Sequence, residues 1–376
     1  MTVMPVRDGA LPAALADRLD RLRSAEPYKV GFPGWSTPMP EALLPFFSHE
    51  LNNYGDPDGD PVFPWHTKDL EREVIDQVAE MFGARLDSRW GMVTVGSGEA
   101  ILYGLWHARQ RFPHACVFHS TAAHPSVLRA AALLRMPAVA VPTDGRGELD
   151  YAALRSRCAR TPGSAAVVVA TVGTTLTEAV DDVPRIRAVL ADAGVTDQYL
   201  HVDAALAGMP IALASGCPPS FGLHNQGGDS LSISGHKFLG TPFPTGLLLA
   251  RSGPLPTAVP GSTLCGAPDG TSSSRNGHAA LLLWYHLRRH GAGGLRRMAL
   301  RCQAVAEYAA RRLSAAGWPA WRAHRYALTV VFRTPPPAVL DRWPMPAVGE
   351  ISHIVCTPGV THERIDRFVA AVRAAS

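Results

Sequence analysis

Apolar positions at Val74, Ile75, Val78, Met81 and Phe82 recur at three- and four-residue spacing and stop at Gly83, which predicts a helix over 69–82. The period then changes. Residues 91–95 form a short apolar run that opens onto Gly96-Ser97-Gly98-Glu99 and a second helical pattern over 100–111. The same alternation continues as strand 115–119, helix 124–134, strand 138–141, helix 150–158, strand 165–171, helix 182–193 and strand 199–202. Such βα repetition predicts an α/β chain whose mainly parallel sheet is covered on both faces. Two further strands are read over 230–234, where Leu231 and Ile233 alternate with serines, and over 247–250. Residues 251–274 are rich in Gly, Pro, Ser and Thr without periodicity, and a loop of that length is usually functional or mobile. Helices over 278–290 and 295–315, strands over 328–332 and 351–355 and a helix over 361–372 make a smaller carboxyl-terminal α+β domain. At the other end a helical stretch over 11–22 leads into the proline- and glycine-rich 31–38, a docking arm. The resulting division is an arm over 1–50, a large domain over 51–260, a mobile loop and connecting helix over 261–290 and a small domain over 291–376.

Composition narrows the classes. With 376 residues, 47% of them hydrophobic, the chain can bury a large core. A net charge of +4 with no basic block interleaved with aromatics gives no support to nucleic-acid binding. Six scattered cysteines, with no Cys-x-x-Cys and no histidine at finger spacing, predict neither a metal nor disulfides and fit reduced thiols. No apolar run approaches the ~20 residues needed to cross a bilayer, and the amino terminus has no signal-peptide pattern, so a cytoplasmic location is expected.

The chemistry centres on Lys237. The strand at 230–234 delivers Gly235-His236-Lys237 into a Gly- and Pro-containing turn, and a lysine buried there is costly unless its amine is neutral or covalently engaged, the setting of a Schiff-base lysine. Upstream, the strand at 199–202 ends in Asp203-Ala204-Ala205. A carboxylate at that strand end can keep a pyridine nitrogen protonated, and the small Ala205 lets a ring lie flat against it. Lys237 and Asp203 are the two contacts that pyridoxal phosphate (PLP) requires. The turn Gly96-Ser97-Gly98, between a strand and a helix start, is a cradle for its phosphate. Strand ends also bring Thr174 to the same cleft.

The segments His201-Val202-Asp203-Ala204-Ala205 and Ser232-Ile233-Ser234-Gly235-His236-Lys237 resemble those of group II PLP-dependent amino-acid decarboxylases, most of all the bacterial histidine and plant serine decarboxylases. So do, in the same order, Asn52-Asn53-Tyr54-Gly55-Asp56-Pro57, Ser274-Arg275-Asn276-Gly277-His278 and Gly349-Glu350-Ile351-Ser352-His353-Ile354. The resemblance runs from about Tyr28 to Val372. It implies the fold-type-I PLP-dependent transferase fold with a seven-stranded sheet, a homodimer, a small-molecule amino-acid substrate, and loss of the carboxylate as carbon dioxide. His124 matches the histidine that stacks on the cofactor ring; Ser97, Ser234 and His236 fall at the phosphate. Tyr28 and Phe32 of the arm are weak substrate contacts or packing aromatics.

Two departures stand out. Gly98 lies where the family often has Ser or Thr, and no tyrosine occurs from Phe238 to Trp284, where related enzymes carry one that protonates Cα. Cys265, or Leu264 beside it, is nearest that position. Either another donor, such as Cys265 or His124, completes amine formation, or the reaction ends in oxidation to an aldehyde with ammonia. A transaminase or lyase on this fold, and a catalytically silent binding protein, are the other readings.

Overall fold

The structure, a computed structural model, describes residues 11–31, 34–160, 165–253 and 274–375. Helix α1 (Ala13–Ala25) precedes an arm that turns through two short 3₁₀ segments, and α2 (Lys68–Met81) leads into the main sheet. The large unit then runs β1 (Trp90–Thr94), α3 (Ser97–Arg111), β2 (Cys116–Ser120), α4 (Pro125–Leu133), β3 (Ala138–Val141), α5 (Tyr151–Ala159) and β4 (Ala166–Thr171). It continues with α6 (Val183–Asp192), β5 (Gln198–Asp203), α7 (Gly208–Ser215), β6 (Ser230–Ser234) and β7 (Gly246–Ala250). Helix α8 (Gly277–Ala315) carries the chain into β8 (Ala320–Trp321), β9 (Thr329–Arg333), α9 (Pro337–Arg342), β10 (Ala347–Val348), β11 (Ile351–Val355) and α10 (His362–Ala374).

Seven strands make one sheet in the order β1-β7-β6-β5-β4-β2-β3, with only β7 running against its neighbours. Strand β4 shows why it is covered on both sides. Val167 and Val169 join a cluster with Ile101 and Leu105 of α3, whereas Val168 and Ala170 join one with Ile186 of α6 and Leu283 of α8. The parallel register sets Thr171 beside Asp203 and Asp203 beside Ser232, so the carboxyl ends of three central strands present these groups in one row. A second, antiparallel sheet, β10-β11-β9-β8, packs with the carboxyl-terminal half of α8 and with α10 around Phe332, Trp343 and Phe368.

Polar ties fix how these parts meet. Glu71 of α2 accepts the Val93 N–H of β1 (2.8 Å) and the Asn53 side-chain amide (2.8 Å) and is ion-paired with Arg275, all out of solvent. Two of the sequence words, around Asn53 and Arg275, are thereby joined as scaffold. Glu178, fully buried, accepts the N–H groups of Leu328 and Thr329 at 2.6–3.1 Å and so ties the loop after β4 to β9. No helix of the described residues is long and apolar enough to cross a membrane.

Candidate active site

Three residues beyond β6, Lys237 sits in a turn held from several sides. Gly235 N–H donates to Thr245 O (2.9 Å), and the Thr241 and Thr245 hydroxyls are 2.8 Å apart. The arm grips the same turn: Trp35 Nε1 donates to Phe238 O (3.1 Å) and Thr37 N–H to Gly240 O (2.9 Å). Gly240 has φ 69°, and a Cβ there would lie 2.5 Å from the Trp35 ring, so the turn needs glycine on both counts.

The turn closes one side of a cavity of about 200 Å³. Lys237 and Asp203 share it, with His124 and Ala205 on its walls. At one end are Gly96, Ser97, Gly98, Ser234 and His236; Thr171, Gly173 and Thr175 complete it. Helix α3 begins there with no side-chain cap, because Gly96 (φ 145°) lets the chain pass from β1 into the helix at once. Its first-turn N–H groups and the helix dipole thus favour an anion at that end. The Ser234 hydroxyl donates to Ser97 Oγ (2.9 Å), and His236 Nδ1 faces Thr245 O (3.0 Å).

Burial sets the protonation states. Desolvation lowers the Lys237 pKa, only partly offset by Asp203. Desolvation likewise raises the Asp203 pKa against the pull of Lys237, and its carboxyl meets only distant donors, Ala205 N–H at 3.3 Å and Ser232 Oγ at 3.5 Å. His124, at the N-cap of α4, is driven toward the neutral form mainly by desolvation, with Nδ1 against Ser126 Oγ at 2.8 Å. The Thr171 hydroxyl is buried with no hydrogen-bond partner. An under-satisfied carboxyl, an orphaned hydroxyl, an uncapped helix start and a desolvated amine around one cavity fit pyridoxal phosphate.

Not every sequence candidate lies here. Thr174 turns away: its hydroxyl bonds Thr177 Oγ1 (2.8 Å) and accepts the Ala179 N–H (3.0 Å), and it is the next residue, Thr175, that lines the cavity. The residue types alone could not separate two adjacent threonines in one turn. Tyr28 packs edge-on against Trp343 (5.3 Å) and bonds Arg342 (2.6 Å), beside a different cavity of about 620 Å³. Phe32 and Cys265, with Leu264, lie outside the described residues. Sequence reasoning missed Trp35 and Thr37, whose partners lie 203 residues away.

This sheet, with a lysine and a carboxylate at its strand ends, defines a fold-type-I PLP-dependent enzyme. Residues 62–259 match the model of the pyridoxal-dependent decarboxylase conserved domain. Histidine decarboxylase of Mesorhizobium japonicum is 36% identical over 333 residues, 88% of this chain and 89% of that protein. Serine decarboxylase 2 of Oryza sativa subsp. japonica is 33% identical over 358 residues, 94% and 76% of the two chains. L-methionine decarboxylase from Streptomyces sp. 590 has the same fold, with a TM-score of 0.86 over 98% of this chain and 97% of that one, at 22% identity. The chain belongs to the pyridoxal-dependent decarboxylase family and is a PLP-dependent amino-acid decarboxylase.

Proposed function

We propose that the chain releases carbon dioxide from a neutral L-amino acid, with histidine the foremost substrate, and yields the amine. The observation that carries this is the Lys237–Asp203 pair in a desolvated cavity against an uncapped helix start. Support for histidine comes from the M. japonicum relative.

In this reading Lys237 is the covalent anchor. Its lowered pKa leaves a larger unprotonated fraction of the amine to attack a carbonyl carbon. Ser97, Gly98, Ser234 and His236 would hold the phosphate, and Asp203 would keep a proton on the pyridine nitrogen. Bound there, pyridoxal phosphate supplies a sink for the electron pair left as the carboxylate departs. His124 and Ala205 would flank the ring, and with His124 Nδ1 engaged by Ser126 its Nε2 would be the nitrogen left for the substrate. Loss of carbon dioxide must be matched by one proton at Cα, and His124 and Lys237, which both line the cavity, are assigned here to give it.

The working unit in this proposal is a homodimer in a reducing, cytoplasmic setting. Leu44, Phe46 and Phe47 of the arm and Val62, Phe63 and Trp65 just beyond it are exposed apolar side chains that a second copy would bury, and the five described cysteines form no disulfide. The domain division at 50, 260 and 290 belongs to the same proposal. A screen of carbon dioxide release across the amino acids, with PLP added, tests the reaction. Mass spectrometry of the product under air and under argon separates amine from aldehyde: the amine is expected under both, and aldehyde with oxygen uptake under air would replace it.

A further inference from the structure

A second chamber, about 170 Å³, opens beside the lysine cavity and shares His124, Gly173, Thr175 and Lys237 with it. Its far walls come from elsewhere in the chain: Gly31 and Gly34 of the arm, Leu206 after β5, and His353, Val355 and Thr357 in and after β11. The arm is pressed onto β11 there. Val355 N–H donates to Val30 O (3.0 Å), and a Cβ on Gly31 would lie 1.7 Å from Val355 O, so glycine keeps the chamber's wall as thin as backbone alone.

The polarity of this chamber is specific. Among the described residues its lining contains no carboxylate and no arginine, and its titratable groups are His124, Lys237 and His353. Burial pushes the His353 pKa down to about 4, so that ring is neutral near pH 7, and His124 is also driven toward neutrality. A cationic side chain would enter without a counter-ion, and an anionic one would meet only the Lys237 amine, which burial drives toward neutrality; both are unfavourable. Thr357 is 2% exposed, and its Oγ1 has no hydrogen-bond partner although buried hydroxyls normally have one. Its backbone is already committed, with N–H to Val355 O (2.8 Å) and O to Val360 N–H (2.9 Å), which leaves the hydroxyl as the uncommitted group.

We propose that this chamber receives the side chain of the amino-acid substrate, and that the Thr357 hydroxyl selects an uncharged side chain able to hydrogen-bond, such as imidazole, over an apolar one of similar size. The inference rests on reading the Lys237 cavity as the place where the carboxylate is lost. A neutral imidazole has one donor and one acceptor, and a hydroxyl can meet either. Thr357 is thus a specificity residue supplied by the carboxyl-terminal unit to a site built mainly on the large one.

The test compares the holoenzyme with T357V, which keeps the shape and removes the hydroxyl, and T357S, which keeps the hydroxyl. For each, kcat and KM are measured with L-histidine and L-methionine, and bound cofactor is followed by its absorbance. The expected result is that T357V lowers the histidine-to-methionine ratio of kcat/KM about tenfold or more, mostly through the histidine KM. T357S should stay within about threefold of the parent, and cofactor absorbance should be the same in all three. An unchanged ratio in T357V, or an equal loss on both substrates, overturns the role of Thr357. Preference of the parent enzyme for glutamate or lysine overturns the chamber assignment but leaves decarboxylation standing; no carbon dioxide from any amino acid overturns both.

Discussion

The Ser234 hydroxyl donates to the Ser97 hydroxyl across 2.9 Å, joining the end of β6, three residues before Lys237, to the first turn of α3, 137 residues earlier. The strand that leads to the lysine and the helix start at the anion-binding end are therefore tied by one bond. Both oxygens also border the anion-binding end, so each serine can act on the phosphate directly and through its partner. S97A and S234A should each weaken PLP binding about fivefold, and the double variant should lose less than the product of the two. Titration of the apo-protein with PLP measures all three; strictly multiplicative losses would mean the pair is not a unit.

Gly98 offers a prediction in the opposite direction. A Cβ there would meet only the Ser126 Cβ, at 3.7 Å, an ordinary contact, so packing does not demand glycine. G98S places a hydroxyl at the helix start beside Ser97 and removes some backbone freedom from the unfolded chain. PLP affinity should rise severalfold with no loss of thermal stability. A weaker Kd in the same titration would show that the close backbone, and not a missing hydroxyl, is what this position contributes.

Removing the Asp203 carboxylate should spare folding more than turnover. It contributes a buried, poorly solvated carboxyl that gains little from its neighbours in the protein, so the expected role lies with the cofactor nitrogen. D203A should retain PLP, as judged by absorbance, while kcat falls on the order of a hundredfold or more. Near-parental turnover would make Asp203 a strand-end structural residue.

Acid should destabilise the fold from about pH 6.5 downward. Buried His107, His286 and His353 have their pKa values lowered to about 4 and His201 to about 3, desolvation being the largest cause for each. Since the unfolded chain binds these protons near pH 6.5 and the folded one does not, stability is lost as pH falls through that window, by about 2 kcal/mol per group at pH 5. Asp181 works the other way. Desolvation raises its pKa to about 7, so its contribution is present below about pH 4 and is lost as pH rises to 7. Burial lowers the His324 pKa to about 4 as well, so five histidines stand against three carboxyls raised by desolvation, Asp181, Glu178 and Asp203, which predicts a lower Tm at pH 5 than at pH 7.5. H201Q, which removes the ring between Ser230 and Ser232, should lower Tm at pH 7.5 yet flatten its fall toward pH 5.

The strands and helices of the large unit were legible because each half-buried helix and short strand leaves a clean period, as in α2 and in β6 with its alternating serines. Helix α7 was not. All eight of its residues, Gly208–Ser215, are apolar or small and seven are buried, so no polar face marks a period, and Pro210 reads as a breaker. Strands β8 and β10 are two residues each, too short for any pattern. The sequence pattern splits helix α8 into two pieces, 278–290 and 295–315, and the structure puts the break at Gly291, whose φ of 59° interrupts the helix. At the site, residues at a strand end or within three residues after it, such as Asp203, Gly96 and Lys237, can be placed from sequence. Trp35 on the lysine turn and Thr357 in the second chamber could not, because their positions depend on tertiary contacts with segments far away in the chain.

The claim on which the account depends is that Lys237 bonds the cofactor. The protein is incubated with PLP, reduced with borohydride, digested and mapped by mass spectrometry. A pyridoxyl group on the Lys237 peptide, absent in K237A, is the result expected from a desolvated amine sharing its cavity with Asp203. Modification of Lys29 or Lys68 instead, or of no lysine at all, would contradict it.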